Sequence, residues 1–436
     1  MAHRKRRCDS NARAVPATWV QSATEGSHRL LRRPLQKRPT RSAHRRPCHP
    51  RGARLAASHV KPAAAAIQAD SGRGGHASLP VAARTQGGDA PPRSLLERMP
   101  KWLICVPLTL QWLWLSLRYR SITLPSCANP AITSGGLVGE GKLEYFTGMG
   151  ATAQAALAAY CSVFNRGAIT DGELQESLQR AGLIFPMIAK PDLGLCGYGV
   201  RLLADMAALQ AYLQVFPAGE TVVLQQYLPQ EGEAGIFYAR EPGALHGRII
   251  GLALRYFPRV TGDGQRSVAE LVACDPRAGR VASSRHEGLK SAERVPAAGE
   301  VVRLATIGST RVGGLYRDGA EWITGPLTAA VDAIAQDMPA FHFGRFDVRF
   351  DSLAELAEGR SFTIMEVNGA GSEAIAAWDP DTGLVAGFKL IFDKQRILFS
   401  IGHAMRQSGV EPVGLVALAR LNQRQQRLIA RYAPSN

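Results

Sequence analysis

The sequence predicts an α+β (mixed α/β) fold, with helices and strands interleaved and the strands mostly antiparallel, on three observations. First, GRFDVRFDS (344–352) and FTIMEVNGAGSE (362–373) alternate with the two-residue period of strands, and SLAELAEGR (352–360) between them suits a loop joining antiparallel neighbours. Second, Thr170 with Glu173 and Ser267 with Glu270 are capping boxes, each opening a helix. Third, TVVLQQYL (221–228), AGIFYAR (234–240) and GRIIGLALRYF (247–257) read as strands, the last two joined by the turn EPGAL.

Along the chain, residues 1–98 form a basic arm rich in Arg, Ala, Pro and Gly without sustained periodicity, which reads as disordered. Residues 1–100 hold 20 Lys+Arg against 5 Asp+Glu, so nearly all of the formal net charge of +16 sits there and the remaining body is close to neutral. A nucleic-acid tail, a targeting segment, or an over-extended reading frame that properly opens at Met99 are the readings of this arm. Without interleaved aromatics, nucleic acid is not the expected partner. Residues 99–127 form a Trp-rich apolar segment. Within it WLICVPLTLQWLWLSL (102–117), flanked by Arg98, Lys101, Arg118 and Arg120, is short for a membrane span and suits an interfacial segment or a buried core helix.

Residues 128–182 are expected to be a reduced N-terminal subdomain: a Gly-rich loop to Lys142, an Ala-rich helix over 151–163, and a helix from Thr170 ended by Gly182. LIFPMIAKP (183–191) reads as a strand and DMAALQAYLQVF (205–216) as a helix capped by Asp205. The stretch 275–300 reads as a polar loop and 326–338 as an amphipathic helix. Helices near 383–407 and 411–432 close the chain. The seven cysteines are scattered, with no CxxC and no His at ligand spacing, which points to a reducing compartment and to neither disulfides nor zinc.

Three segments carry candidate chemistry. In IAKPDLGLCGYGV (188–200), Lys190 leaves a strand end and Gly194, Gly197 and Gly199 follow; glycines let backbone amides approach phosphate and a lysine neutralises it. The spacing is neither GxxxxGK[ST] nor a helix-opening GxGxxG. TVVLQQYLPQEGE offers an apolar strand edge followed by Glu231 and Glu233, groups suited to an adenine and to ribose hydroxyls. On 344–352, Phe346, Val348 and Phe350 share one face and Arg345, Asp347, Arg349 and Asp351 the other. Glu366 and Asn368 leave the second strand on one side, so Asp347, Glu366 and Asn368 can converge as oxygen ligands for a hard divalent cation.

The order of these segments resembles the ATP-grasp superfamily, in particular the D-alanine–D-alanine ligase and cyanophycin-synthetase-like carboxylate–amine ligases. The resemblance spans 183–373, within an expected ATP-grasp domain of 183–382, and rests on KPDLGLCGYGV, VVLQQYLPQEGE, VTGDGQRSVAEL, GRFDV and FTIMEVNGAGS. It implies two α+β lobes clasping nucleotide. Lys190 would meet the α/β-phosphates and Gly194, Gly197 and Gly199 the flap above them. Gln225, Gln226, Tyr227 and Leu228 would flank adenine, and Glu233 or Glu231 would hold ribose. Asp347, Glu366 and Asn368 would hold two Mg²⁺ ions, or Mn²⁺, and Arg345 would face the transferred phosphoryl group, with Arg255 (or Arg259) and Arg311 lending charge near the nucleotide.

The implied activity is an ATP- and Mg²⁺-dependent ligase joining a small-molecule carboxylate to an amine through an acyl phosphate. A phosphotransferase of the same fold, or an ATP-binding scaffold on a membrane face, are the alternatives. The expected place is the cytoplasm, with peripheral contact to the inner membrane face through 102–117. Gln225–Gln226 stand where such ligases carry a hinge carboxylate. The 275–322 insertion, with His286, Lys290, Arg294 and Arg311, is a basic loop or an acceptor-recognition loop.

Overall fold

The computed structural model describes residues 94–283, 289 and 292–436. The basic arm before Ser94, and His286 and Lys290, lie outside the described residues. In chain order come α1 (Leu95–Arg98), α2 (Lys101–Tyr119), α3 (Lys142–Phe146), α4 (Ala151–Ala156), β1 (Tyr160–Phe164), α5 (Asp171–Arg180), β2 (Met187–Pro191), β3 (Arg201–Leu203), α6 (Met206–Val215) and β4 (Thr221–Gln226). There follow β5 (Gly232–Ala239), β6 (Arg248–Tyr256), β7 (Arg259–Thr261), α7 (Val268–Cys274), α8 (Gly279–Ser283), β8 (Val301–Arg303), β9 (Leu315–Asp318) and α9 (Gly325–Gln336). The last elements are β10 (Phe343–Phe350), α10 (Leu353–Ala357), β11 (Phe362–Asn368), α11 (Leu384–Gln407) and α12 (Leu415–Arg431).

The class is α+β: a four-stranded sheet of order β1-β4-β2-β3, a five-stranded sheet of order β11-β10-β5-β6-β9, and the two-stranded β7-β8, with every strand pairing antiparallel. The capping boxes form as expected. Thr170 accepts from the Glu173 amide and Ser267 from that of Glu270, and each glutamate reaches back to its cap. Gly182 adopts a positive φ of 65° just past α5, which is why glycine stands there.

The elements depart from expectation in three places, and α8 (Gly279–Ser283) lies in the stretch 275–300 expected to be a loop. The Ala-rich helix stops at Ala156, and Tyr160–Phe164 is a strand paired with β4. Helix propensity favours the run of alanines, but Tyr160, Val163 and Phe164 prefer a strand and the β4 ladder supplies their backbone partners. The strand expected over 183–191 is likewise shorter and begins after Pro186.

Packing explains why a run of charges can sit inside the molecule. Phe346, Val348 and Phe350 of β10 join Ile236, Tyr238 and Ile364 on one sheet face, beneath Leu327, Val331 and Ile334 of α9. The opposite face carries Arg345, Asp347 and Arg349, and all of β10 is buried. On this second face Phe237, Phe343 and Ala239 meet residues from the Ile375–Trp378 turn and from α11, including Leu390, Leu398 and Ile401. Leu174 and Leu178 of α5, Leu209 and Leu213 of α6, and Leu428 and Ile429 of α12 pack with the four-stranded sheet.

Candidate functional site

Register sets out the charges row by row. Across the five-stranded sheet Glu366 stands opposite Asp347, which stands opposite Gly235; Asn368 stands opposite Arg345; Arg349 stands opposite Glu233, which stands opposite Arg255. Because neighbouring residues on adjacent strands are about 5 Å apart, these side chains meet without any loop. Gly235 makes the row passable, since a Cβ there would sit 3.0 Å from Arg345 Cδ and 2.7 Å from Ile375 Cδ1.

The two buried carboxylates are held by three guanidinium groups. Arg345 donates from Nε and Nη2 to the two oxygens of Asp347 at 2.6 and 2.8 Å. Arg255 Nη1 lies 3.1 Å from Glu233 Oε1 and 3.3 Å from Asp347 Oδ2, bridging them. Arg349 Nη2 approaches Glu233 Oε2 at 3.2 Å, and Asn368 Nδ2 donates to Asp347 Oδ2 at 3.2 Å. Burial alone would raise the Asp347 pKa; Arg255 and Arg345 overcome it and hold the carboxyl below its ordinary value.

Lys190 joins the two sheets. From β2 of the four-stranded sheet its ammonium donates to Gln225 Oε1 at 2.6 Å and to the carbonyl of Met365 on β11 at 2.8 Å, next to Glu366. It lies 5.5 Å from the centre of the Phe146 ring. Burial pushes its pKa down to about 7, against the opposing pull of Glu366 and Asp347. Gln225 is therefore the partner that orients Lys190, while Gln226 next to it is exposed and its amide donates to Ala159. Tyr227 is half-buried and Leu228 buried at the strand's end.

The glycine loop after Lys190 is braced from two sides. Gly197 and Gly199 have φ of 73° and 74°, and Cys196 shares the left-handed region at 48°. Gln425 of α12 donates to the Gly194 carbonyl, and the Tyr432 hydroxyl donates to that of Leu193. Arg311 donates to the Cys196 and Gly197 carbonyls and to Ser435 Oγ, with its guanidinium 4.4 Å from the centre of the Tyr198 ring. Arg311, expected to lend charge near the nucleotide, holds the loop's backbone here. Its segment still reaches the charged row: a Cβ on Gly308 would lie 3.0 Å from Glu233 Oε1.

The two acids expected near ribose are both engaged by arginines. Glu233 is 5% exposed with an arginine on each oxygen. Glu231 is the surface acid, and it pairs with Arg259 and with Arg303. Arg259 is thereby a surface partner of Glu231. Arg345, Asp347 and Arg349 are each less than a tenth exposed, so the charged face of this strand lies inside the molecule.

Three contributors were missed. Lys142, at the end of the Gly-rich loop, is buried and its ammonium lies 3.3 Å from Glu366 Oε1. A Cβ on Gly194 would come within 3.1 Å of that same ammonium, so Lys142 links the acid to the glycine loop. Glu140, two residues earlier, has its pKa raised by burial to about 7. Lys394 of α11 lies 5.7 and 5.9 Å from the ring centres of Phe237 and Phe343, with Arg345 and Glu373 as its charged neighbours. Burial drives its pKa down to about 7. Its signal was legible: Gly387, Ile391, Leu398, Ile401 and Met405 form an inward stripe on α11, and Lys394 falls on that stripe.

As to a cation, Asp347, Glu366 and Asn368 share one face of adjacent strands and offer only oxygen and amide donors, which suits a hard divalent ion in kind. Glu366 is partly exposed, its side chain at 34%. Asp347 is engaged by Arg345 and Arg255, and among the described residues no three His, Cys, Asp or Glu side chains cluster as a metal site. A surface hollow of about 480 Å³ lined by His246, Asp332 and Gln336 lies against α9, away from these groups.

No family model matches the chain, and no curated protein matches it. Among solved structures it is similar to a bifunctional glutathione synthetase from Pasteurella multocida, at 18% identity over 55% of this chain and 34% of that one, with a TM-score of 0.30. It is similar to D-alanine–D-alanine ligase from Bacillus anthracis, at 13% identity over 58% of this chain and 64% of that one, with a TM-score of 0.33. An ADP complex of N5-carboxyaminoimidazole ribonucleotide synthetase, 13% identical, shares 61% of this chain and 54% of its own, with a TM-score of 0.32. The chain spans between about a third and two thirds of the length of these proteins.

Proposed function

We propose that the protein is an ADP-forming, ATP-dependent ligase of the ATP-grasp kind that joins a carboxylate to an amine. The observation that carries this reading is the meeting of Lys190, from one sheet, with β11 of the other beside Glu366, in line with the glycine loop. A buried lysine and a glycine-rich loop on one side, with carboxylate and amide oxygens on the other, is an arrangement suited to a polyphosphate and its cation.

In this reading Lys190 neutralises phosphate charge and Gln225 keeps its ammonium aimed into the cleft. The loop Gly194–Gly199, braced by Arg311 and Gln425, lies over the phosphates. Glu366 and Asn368, with Asp347 once Arg345 turns from it, would hold Mg²⁺, or Mn²⁺, which draws charge from the phosphate oxygens. Arg345, released from Asp347, stabilises the transferred phosphoryl group. A substrate carboxylate oxygen attacks the γ-phosphorus, the bond to the β–γ bridging oxygen breaks, and ADP leaves. The amine nitrogen then attacks the acyl carbon, phosphate departs, and the amine's proton passes to solvent. No side-chain nucleophile is needed, and the residues serve position and charge.

Hydroxylamine, an amine that captures acyl phosphates, tests this with the full chain, ATP, Mg²⁺ and a panel of carboxylates. The expected result is hydroxamate and ADP in equal amounts with at least one acid, lost in Glu366→Gln. ADP without hydroxamate would favour a phosphotransferase. ATP binding with no ADP for any acid would favour a nucleotide-binding scaffold, the reading to which the arginine-held Asp347 lends support.

A further inference from the structure

We propose that α2 docks the protein on an anionic lipid surface, lying in the interface with its axis parallel to the bilayer. This is independent of the ligase reading. Trp102, Leu103, Val106, Leu110, Leu113, Trp114 and Leu117 are all exposed, Trp102 at 68%, Leu110 at 62% and Leu117 at 79%. At about 100° per residue these seven fall within an arc of roughly 120° on one side of the helix. The other side is anchored: Ile104 and Leu115 are buried, Gln111 Nε2 donates to the Phe392 carbonyl on α11, and Trp112 packs edge-on to Phe399 at 4.9 Å. The stripe is thus a firmly mounted ridge that no described residue covers.

Charge names the occupant. Arg98, Lys101, Arg118 and Arg120 are exposed at the two ends of the ridge. The one acid between residues 95 and 122 is Glu97, and it is turned inward onto Arg277 and Arg280 at 2.6 and 3.0 Å. An apolar ridge carrying tryptophans, ringed by cations and cleared of acids, complements the headgroup region of an anionic bilayer. A convex ridge also suits a deformable lipid interface better than a rigid protein groove. Among the described residues no helix is long and apolar enough to cross a membrane, so the helix is assigned to lie on it.

The full chain is co-sedimented with vesicles of phosphatidylcholine alone and of phosphatidylcholine mixed with phosphatidylglycerol. Wild type is expected to sediment with the mixed vesicles and far less with the neutral ones. In Trp102→Glu/Leu110→Glu, whose positions face solvent, partitioning falls about tenfold or more with the circular-dichroism melt unchanged. As a check that needs no folded variant, brominated lipid should quench wild-type tryptophan emission. The proposal is overturned if wild type stays in the supernatant, or if brominated lipid leaves the emission unchanged. It is equally overturned if the double variant sediments as well as wild type, leaving the basic arm as the binder. A variant that converts a dimer to a monomer on gel filtration with vesicle binding unchanged also overturns it, making the ridge a protein interface.

Discussion

Replacing Asp347 with Asn is the perturbation whose cost the structure specifies most closely. Asp347 is 2% exposed and accepts from Arg345 at 2.6 and 2.8 Å and from Asn368 at 3.2 Å, with Arg255 3.3 Å away. Without its charge Arg255 keeps Glu233, but Arg345 is left with a carbonyl contact at 3.5 Å from Glu373 and the Phe237 ring 5.6 Å away. Breaking a buried pair from one side costs about 3–5 kcal/mol. The retained Glu233 contact and the remaining amide oxygen of Asn place this case at the lower end, about 3 kcal/mol. Urea unfolding of Asp347→Asn, Arg345→Met and the double variant forms a cycle in which the double variant should cost about 2 kcal/mol less than the sum of the singles. The pH dependence follows in sign. Since the folded pKa is held below 3.8, the carboxylate's contribution is complete above that value and is lost as pH falls through the folded one. Additive single costs, or an Asp347→Asn cost under about 1 kcal/mol, would refute the claim that this ion pair is buried and mutual.

Other consequences are as direct. If protonated Lys190 holds phosphate, its pKa near 7 means that ATP affinity weakens toward tenfold per unit as pH rises above 7, and calorimetry at stepped pH should find that slope gone in Lys190→Met. Gly369→Ala puts a Cβ 2.6 Å from the Tyr145 hydroxyl and 2.7 Å from the Gly135 carbonyl, so denaturant unfolding should register a loss of roughly 2–3 kcal/mol. Lys394→Met exchanges a cation on an apolar stripe, pushed toward neutrality by burial, for an apolar side chain of similar length. It should stabilise the fold by about 1 kcal/mol, read as a higher midpoint in urea unfolding.

Much of the fold could be read because local signals and tertiary structure agree. The capping boxes at Thr170 and Ser267, the Asp205 cap and the alternation of Phe346, Val348 and Phe350 all appear as expected. The helix expected to reach residue 163 fails where the alanine run ends, because Tyr160–Phe164 favour a strand and β4 supplies their backbone partners. At the site, period-two spacing brought Arg345, Asp347, Glu366 and Asn368 onto one face. What spacing could not supply was which charges neutralise which. That Arg255 bridges Glu233 to Asp347, that Lys142 answers Glu366, and that Arg311 braces the loop depend on contacts between residues far apart in the chain.

Whether Lys190 and Glu366 face a shared nucleotide site is decided by calorimetric titration of the full chain with ATP in the presence of Mg²⁺. Saturable binding is expected, weakened at least tenfold in both Lys190→Met and Glu366→Gln and largely lost when Mg²⁺ is chelated. Binding unchanged in both variants, or no binding by a wild-type chain with an intact melt, would contradict it.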